Sequence, residues 1–135
     1  MERYTIPHNV NTACITVLTF PDGIEEAFQQ LRAFFPSTEQ RPRRYFGVSY
    51  PQQNGKLMYK AAVELFQGEC SSFENFVIEQ GPYISQAVHD YMQDIPAITS
   101  TFSKLVTHPQ LKEPGYCVEY YYNDKDVLCM SQLEA

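Results

Sequence analysis

The chain has 135 residues and a mass of 15.6 kDa, the size of one domain, and 44% of its residues are hydrophobic, enough for a single buried core. Aromatic residues make up 14% and charged residues 19% of the chain, which excludes a disordered protein. The formal net charge is −6, and an acidic surface repels nucleic-acid phosphates. We therefore expect a soluble globular domain that does not bind DNA or RNA directly.

The sequence also bears on location and cofactors. No stretch approaches the roughly 18–20 apolar residues of a membrane helix, and residues 1–10 contain no apolar signal core. The four cysteines form no CxxC pair, and no two of the three histidines have the spacing of a helical metal site. We expect a cytoplasmic protein without membrane contact, with free and mostly buried thiols, and with no metal or other cofactor.

In chain order, a strand-like run at 13–20 is followed by the first predicted helix at 24–35. Apolar residues of the helical segment recur on one face, with charged and amide residues around the rest. Asp22 is the predicted N-cap, and Pro36 ends the helix.

Two more strands, 45–50 and 57–66, flank the turn sequence Asn54-Gly55-Lys56, so we predict a hairpin. The segment that follows, 67–72, has small and polar residues between two apolar runs. It is the predicted boundary between two halves of the chain.

The second half repeats this order. Strand-like runs at 76–79 and 83–90 precede a helical segment at 95–108, with Pro96 in its first turn and Pro109 at its end. Two final strands, 116–122 and 127–133, flank a turn sequence at 123–125.

The two halves resemble each other. The apolar residues of the first helix recur in the second at one offset of 74, the strand at 4–6 matches 76–78, and the two turns match at an offset of 69. The pattern predicts a duplication within one domain, 1–135. The predicted fold is α+β, with two pseudo-symmetric strand-helix-strand-strand modules, about 1–69 and 70–135, that contribute two helices and a mainly antiparallel sheet.

The strand at 116–122 carries the most informative side chains. Because side chains alternate along a strand, Cys117, Glu119 and Tyr121 share one face, and Val118 and Tyr120 lie on the other. If helices cover the second face, Glu119 projects from a surface of tyrosine rings that attracts a cation or a flat aromatic ligand. The alternative is a glutamate on the solvated face of an edge hairpin, with tyrosines present for their β-propensity.

Two motifs, Ile78–Tyr83 (IEQGPY) and Val118–Tyr121 (VEYY), resemble those of the GyrI-like small-molecule-binding domain, the effector-binding domain of multidrug-responsive transcription activators. The resemblance extends over nearly the whole chain. It implies two modules around a pseudo-two-fold axis with a central groove between them. It also implies that Glu119 is the groove glutamate and that Tyr121 and Tyr83 are groove aromatics.

Further groove residues follow from the repeat. The offset of 69 relates Glu119 to Tyr50, which predicts an aromatic opposite wall, and the same hairpin supplies further candidates. The predicted ligand-binding residues are Glu119, Tyr121, Tyr83, Tyr50, Tyr59, Phe46 and Cys117, with Tyr45 as an additional candidate. The chain has no Trp, which departs from related pockets.

The expected function is binding of a small hydrophobic or cationic organic molecule. No helix-turn-helix segment precedes residue 13, so we expect a stand-alone sensor or sequestering carrier, for which a regulator protein is a candidate partner. The first alternative is a hydrolase of strained-ring or electrophilic molecules, with Glu119 as general base and Tyr121 as hydrogen-bond donor.

Nucleophilic catalysis by a thiol and inhibition of a protein partner are also open at the level of sequence. The nucleophile would be Cys117 or Cys129, although no His lies nearby in the sequence to activate either one. A protein-partner inhibitor, suggested by gyrase-inhibiting members of the family, would use the acidic surface against a basic enzyme. The acidic residues are dispersed, however, and only Glu25 and Glu26 are adjacent.

Overall fold

Eight strands and two α-helices are formed by the part of the chain that the computed structural model describes, residues 1–52 and 54–135. The strands are β1 (Glu2–Ile6), β2 (Val10–Thr16), β3 (Tyr45–Pro51), β4 (Leu57–Glu64), β5 (Glu74–Ile78), β6 (Gly81–Val88), β7 (Cys117–Tyr121) and β8 (Val127–Gln132). The helices are α1 (Ile24–Phe34) and α2 (Pro96–Leu105), and a short 3₁₀ helix lies at Tyr91–Gln93. The predicted α+β class is confirmed.

The strands form a single antiparallel sheet in the order β1-β6-β8-β7-β3-β4-β2-β5. The pair β7–β3 lies at the centre of the sheet, where Glu119 is paired with Gly47. The predicted hairpin of β3 and β4 is present, with Tyr50 opposite Met58 near its turn.

The sheet curls into a half-barrel around one apolar cluster. That cluster contains Ile6 from β1 at one edge and Ile78 from β5 at the other edge, together with Val118 from the centre. Residues from both edges meet in one cluster only if the sheet closes over this face. The concave face is therefore covered by the sheet itself, without a helix.

Both helices pack on the opposite, convex face. Helix α1 buries Ala27, Phe28 and Leu31 against β2 and β4, and α2 buries Leu105 against β6 and β8. Since each helix covers one flank of the sheet, the central strands β3 and β7 are left between them. This arrangement places a groove on the convex face.

The helix ends differ from the prediction in detail. Gly23, not Asp22, is the N-cap of α1, and it adopts φ +93°, a conformation that glycine accepts readily. The Asp22 carbonyl accepts a hydrogen bond from the Thr19 hydroxyl at 2.7 Å, within the turn that precedes the helix. Helix α2 ends at Leu105 rather than His108, because its last residues form tighter turns.

The strand predicted at 13–20 is also shifted. β2 begins at Val10 and ends at Thr16, and the residues after Val17 form a turn that leads into α1. Neither α1 nor α2, the helices of the described residues, is long and apolar enough to cross a lipid bilayer.

Candidate functional site

A groove of about 920 Å³ lies between the two helices, above the central strands. Its floor includes Glu119 and Tyr121 of β7 and Tyr45 of β3, and Tyr59 of β4 lines one side. Helix α1 and the 3₁₀ helix supply the walls. The volume falls in the range typical of small-molecule sites.

Glu119 is held by two tyrosine hydroxyls at the groove floor. Tyr121 and Tyr59 both donate hydrogen bonds to the same carboxylate oxygen, Oε1, the second at 3.3 Å. The other oxygen, Oε2, accepts no hydrogen bond from the described residues, and it is not among their buried unpartnered atoms. One oxygen is thus fixed, and the other remains open to a ligand.

No described Lys, Arg or His forms an ion pair with Glu119. Burial raises the pKa of its carboxyl group above the ordinary value, although the hydrogen bonds from Tyr121 and Tyr59 oppose this shift. Burial also raises the pKa of Tyr121 and of Tyr59, and both stay protonated as donors. The site therefore contains an enclosed carboxyl group without a counter-cation.

Gly47 creates the space for this arrangement. A Cβ atom at Gly47 would lie 2.1 Å from the Tyr59 hydroxyl and 3.0 Å from Glu119 Oε1. Such distances are well inside van der Waals contact, so only glycine at this position lets the Tyr59 ring reach the carboxylate.

Aromatic rings surround the carboxylate. Phe20 stacks on Tyr59 with ring centroids 4.9 Å apart, and Phe28 meets Tyr121 edge-on at 5.8 Å. From the α2 side, Tyr91 packs against Tyr121 at 5.5 Å. The outer rim on the same side is apolar and exposed, with Met92 65% and Ile95 51% accessible. The groove is therefore suited to a flat or hydrophobic molecule.

Two arginines also line the groove. Arg43 uses four of its five N–H donors: it forms a bidentate ion pair with Glu69 at 2.7 Å and donates to the carbonyls of Glu64 and Pro36. Arg32 lies over the Tyr45 ring at 5.6 Å and over the Phe28 ring at 5.9 Å.

The structure brings together three of the predicted ligand-binding residues, Glu119, Tyr121 and Tyr59, and also Tyr45. The other four predicted residues do not line the groove: Tyr83, Phe46, Tyr50 and Cys117. Tyr83, Phe46 and Tyr50 belong to or pack against the cluster on the concave face, so they do not line the groove. The Tyr83 hydroxyl instead donates to the Glu79 carbonyl at 2.7 Å and is within 2.9 Å of the Tyr116 hydroxyl.

Strand alternation explains these misplacements. Phe46 follows Tyr45 in β3, and Tyr83 precedes Ile84, which packs against α2. A register uncertainty of one residue sends a side chain to the other face of the sheet. The offset of 69 residues that relates Glu119 to Tyr50 is affected by the same uncertainty, and Tyr50 lies on the concave face.

Cys117 shares the face of Glu119 but does not line the groove. Its sulfur lies 3.4 Å from the Ser131 hydroxyl, and burial raises the pKa of its thiol. Cys129, paired with Glu119 in the sheet, is fully buried, and burial raises its thiol pKa to about 12. These environments disfavour the thiolate, so they do not support a thiol nucleophile.

The helices pack on the same face of the sheet as Glu119. The sequence predicts an exposed tyrosine surface around Glu119 only if helices cover the opposite face, and this condition is not met, because the helices flank the glutamate itself. The reason is that Val118 and Tyr120 are already covered by the curled sheet. Glu119 consequently lies in a groove between helices rather than on an open surface.

Sequence reasoning missed several groove residues: Phe20, Phe28, Arg32, Tyr91 and Gly47. Helical periodicity places Phe28 on the apolar face of the first helix and Arg32 on its polar face. The one available signal was Gly47, because a glycine inside a predicted strand often marks a close approach of another group.

No protein-family model and no curated protein matches the chain. Among solved structures, an integron cassette protein from the mobile metagenome of Vibrio cholerae is similar, with a TM-score of 0.60 and 11% sequence identity. The match covers 98% of this chain and 95% of that chain. At this identity the likeness shows a shared fold alone.

Proposed function

We propose that the chain binds small hydrophobic or cationic organic molecules in the groove between α1 and α2, as a sensor or sequestering carrier, with Glu119 as the anchor. The observation that carries the proposal is an enclosed carboxylate whose Oε1 accepts from two tyrosines while its Oε2 has no described partner. A carboxylate that is desolvated without a counter-cation favours a ligand that supplies one.

The aromatic walls support the same ligand class. The rings of Phe28, Tyr121 and Tyr91 pack in series beside the carboxylate, and π faces attract cations as well as flat rings. The resemblance to GyrI-like domains agrees with this proposal, since it implies a groove glutamate at the same position, Glu119.

We also propose that the groove arose by duplication. On one side of the sheet centre the strand order is β7-β8-β6, and on the other it is β3-β4-β2, so equivalent strands of two strand-helix-strand-strand modules lie at equivalent places. Strands β1 and β5 then pair with the module to which they do not belong in sequence. Glu119 and Gly47 face each other where the two modules meet.

A matched pair of probes tests the proposed function. Benzyltrimethylammonium and neopentylbenzene have the same shape and differ only in the charged nitrogen. A ligand that binds only the folded state raises the melting temperature, so we expect a larger shift with the cation. Glu119→Gln should remove that preference, and Glu26→Gln, on α1 outside the groove lining, should preserve it. Equal shifts with cation and neutral probe, or cation binding unchanged in Glu119→Gln, would refute the role of Glu119 as the anchor, and no shift with either probe would refute binding in the groove.

A second candidate function is hydrolysis of strained-ring electrophiles. The free Oε2 and the raised pKa of Glu119 favour it, because a general base works best when its pKa lies near the working pH. In that reaction Oε2 takes a proton from water, the water oxygen bonds to the ring carbon, the strained carbon–oxygen bond breaks, and the proton passes to the released oxygen.

Styrene oxide is a direct probe of this chemistry. The hydrolase would be established if the parent protein converts styrene oxide to the diol and Glu119→Gln does not, while the variant still binds neopentylbenzene. Absence of turnover by the parent under conditions where the probe binds would leave the binding function alone.

A further inference from the structure

We infer that the groove takes a bifunctional ligand: a cationic or hydrogen-bond-donating group at Glu119 and an anionic oxygen group, carboxylate or phosphate, at Arg32. The inference rests on the proposed binding function and specifies its ligand class. It starts from the charges that line the groove, which are Glu25, Arg32, Arg43, Glu119 and Asp124.

The two groove arginines differ in how many of their five N–H donors are used within the described residues. Arg43 is used by Glu69 and by two backbone carbonyls. Arg32 forms no ion pair and no hydrogen bond with any group in residues 1–52 and 54–135. A guanidinium with free donors at the edge of a groove is suited to bidentate recognition of carboxylate or phosphate oxygens.

Arg32 is also positioned rather than freely extended. Its guanidinium carbon lies 5.6 Å from the Tyr45 ring centroid and 5.9 Å from that of Phe28, both within cation–π distance. Phe28 in turn contacts Tyr121, which donates to Glu119. A ligand ring lying along Phe28 would therefore have the carboxylate at one end and the guanidinium at the other.

The Tyr45 hydroxyl points to the same conclusion by an independent observation. It is the buried side-chain polar atom that finds no hydrogen-bond partner within the described part of the chain. Tyr45 lines the groove beside Arg32. Because a buried hydroxyl is costly to leave without a partner, an anionic ligand oxygen held by Arg32 offers it an acceptor.

Three probes separate the two ends of the site: phenethylammonium, 3-phenylpropionate and 3-[4-(2-aminoethyl)phenyl]propanoate, which carries both groups. By calorimetry we expect the bifunctional probe to bind about tenfold more tightly than phenethylammonium, equivalent to about 1.4 kcal/mol. The anion alone should bind weakest, because Glu119 repels it. Tyramine phosphate, with a phosphate in place of the carboxylate, identifies which anion is preferred.

Variants then assign the gain to Arg32. Arg32→Gln and Tyr45→Phe should each reduce the ratio of bifunctional-probe affinity to phenethylammonium affinity, and Arg32→Lys should retain part of that ratio. The matched control is Arg41→Gln, which removes the same charge from an exposed arginine that lies over the Phe66 ring at 4.1 Å, outside the groove lining.

The inference is overturned if the bifunctional probe binds no more tightly than phenethylammonium, or if Arg32→Gln and Arg41→Gln reduce its binding equally. In either case, the proposed function would still be supported if phenethylammonium binds and its binding depends on Glu119. If no probe binds, or if Glu119→Gln changes none of the affinities, the proposed function and this inference fail together.

Discussion

Gly47 and Tyr59 are complementary across the β3–β4 hairpin: the space that a Cβ atom would occupy at Gly47 is filled by the Tyr59 hydroxyl, 2.1 Å from the ideal Cβ position. Tyr59 is almost fully buried and stacks on Phe20, so its ring has little freedom to retreat. The Tyr59 hydroxyl can therefore point toward Glu119 only because the neighbouring strand has a glycine, with no side chain, at position 47.

Gly47→Ala should therefore displace the Tyr59 ring and destabilise the protein by about 1–3 kcal/mol, the usual cost of overpacking. It should also weaken binding of benzyltrimethylammonium, because the hydrogen bond from Tyr59 to Glu119 is lost. Urea denaturation and calorimetry measure the two effects.

The double variant Gly47→Ala, Tyr59→Leu serves as the control. A smaller side chain at position 59 removes the clash, so the two substitutions should be less damaging together than the sum of their separate effects. Additive losses would show that the clash at Tyr59 is not the cause.

Glu119→Gln should stabilise the ligand-free protein at neutral pH and not at low pH. The folded pKa of Glu119 is raised by burial, above the unfolded value of about 4.3. Between the two values the native state binds more protons, so stability falls as pH rises through this window. Glutamine has no such dependence.

We therefore expect the melting temperature of Glu119→Gln to exceed that of the parent by a margin that is larger at pH 8 than at pH 4. Glu26→Gln, on α1 outside the groove, provides the baseline for loss of one acidic group. A margin that is constant with pH would contradict a raised pKa at Glu119.

Tyr121→Phe should weaken ligand binding, whereas Tyr83→Phe should lower stability without changing ligand binding. Removing the Tyr121 hydroxyl takes away a donor to Glu119, which should reduce cation affinity by about fivefold to tenfold, in the range of one hydrogen bond. Removing the Tyr83 hydroxyl breaks a hydrogen bond to the Glu79 carbonyl on the concave side. It should cost about 1 kcal/mol of stability and leave affinity unchanged.

This comparison checks the placement of Tyr83 directly. Calorimetry with benzyltrimethylammonium gives the affinities, and urea denaturation gives the stabilities. A loss of affinity in Tyr83→Phe as large as that in Tyr121→Phe would place Tyr83 in the groove, against the structure.

Helical periodicity, strand runs and the two hairpin turns predicted nearly all the elements, because these features are local. The shared face of Glu119 and Tyr121 was predictable as well, since alternation along one strand requires no partner. The side of the sheet on which the helices pack was not predictable from these patterns. It depends on the sheet curling over Val118 and Tyr120, which arises from long-range pairing of all eight described strands.

Residues on other strands were harder to assign for the same reason. Tyr83 and Phe46 required the register of two more strands, and one position of error reverses the face. Arg32 lies on the polar side of an amphipathic helix, where an arginine that faces solvent and one that faces a groove have the same spacing. Only the packing of α1 on the convex face distinguishes them.

The ion pair of Arg43 and Glu69 should stabilise the groove wall above mildly acidic pH. The Arg43 side chain is only 6% exposed, and both guanidinium NH₂ groups donate to Glu69 at 2.7 Å. These hydrogen bonds from Arg43 hold the pKa of Glu69 down at about 2. Glu69→Gln should cost about 1.5–3 kcal/mol at pH 7, the range for hydrogen bonds to charged groups.

The pH dependence provides a second test. A lowered folded pKa contributes stability that is present above the unfolded value, about 4.3, and that is lost as pH falls toward about 2. The difference in unfolding free energy between the parent and Glu69→Gln should therefore shrink between pH 4.5 and pH 2. Glu39→Gln, in the exposed loop after α1, controls for the loss of one surface carboxylate. A difference that persists unchanged at pH 2 would mean that Glu69 acts through packing and not through its charge.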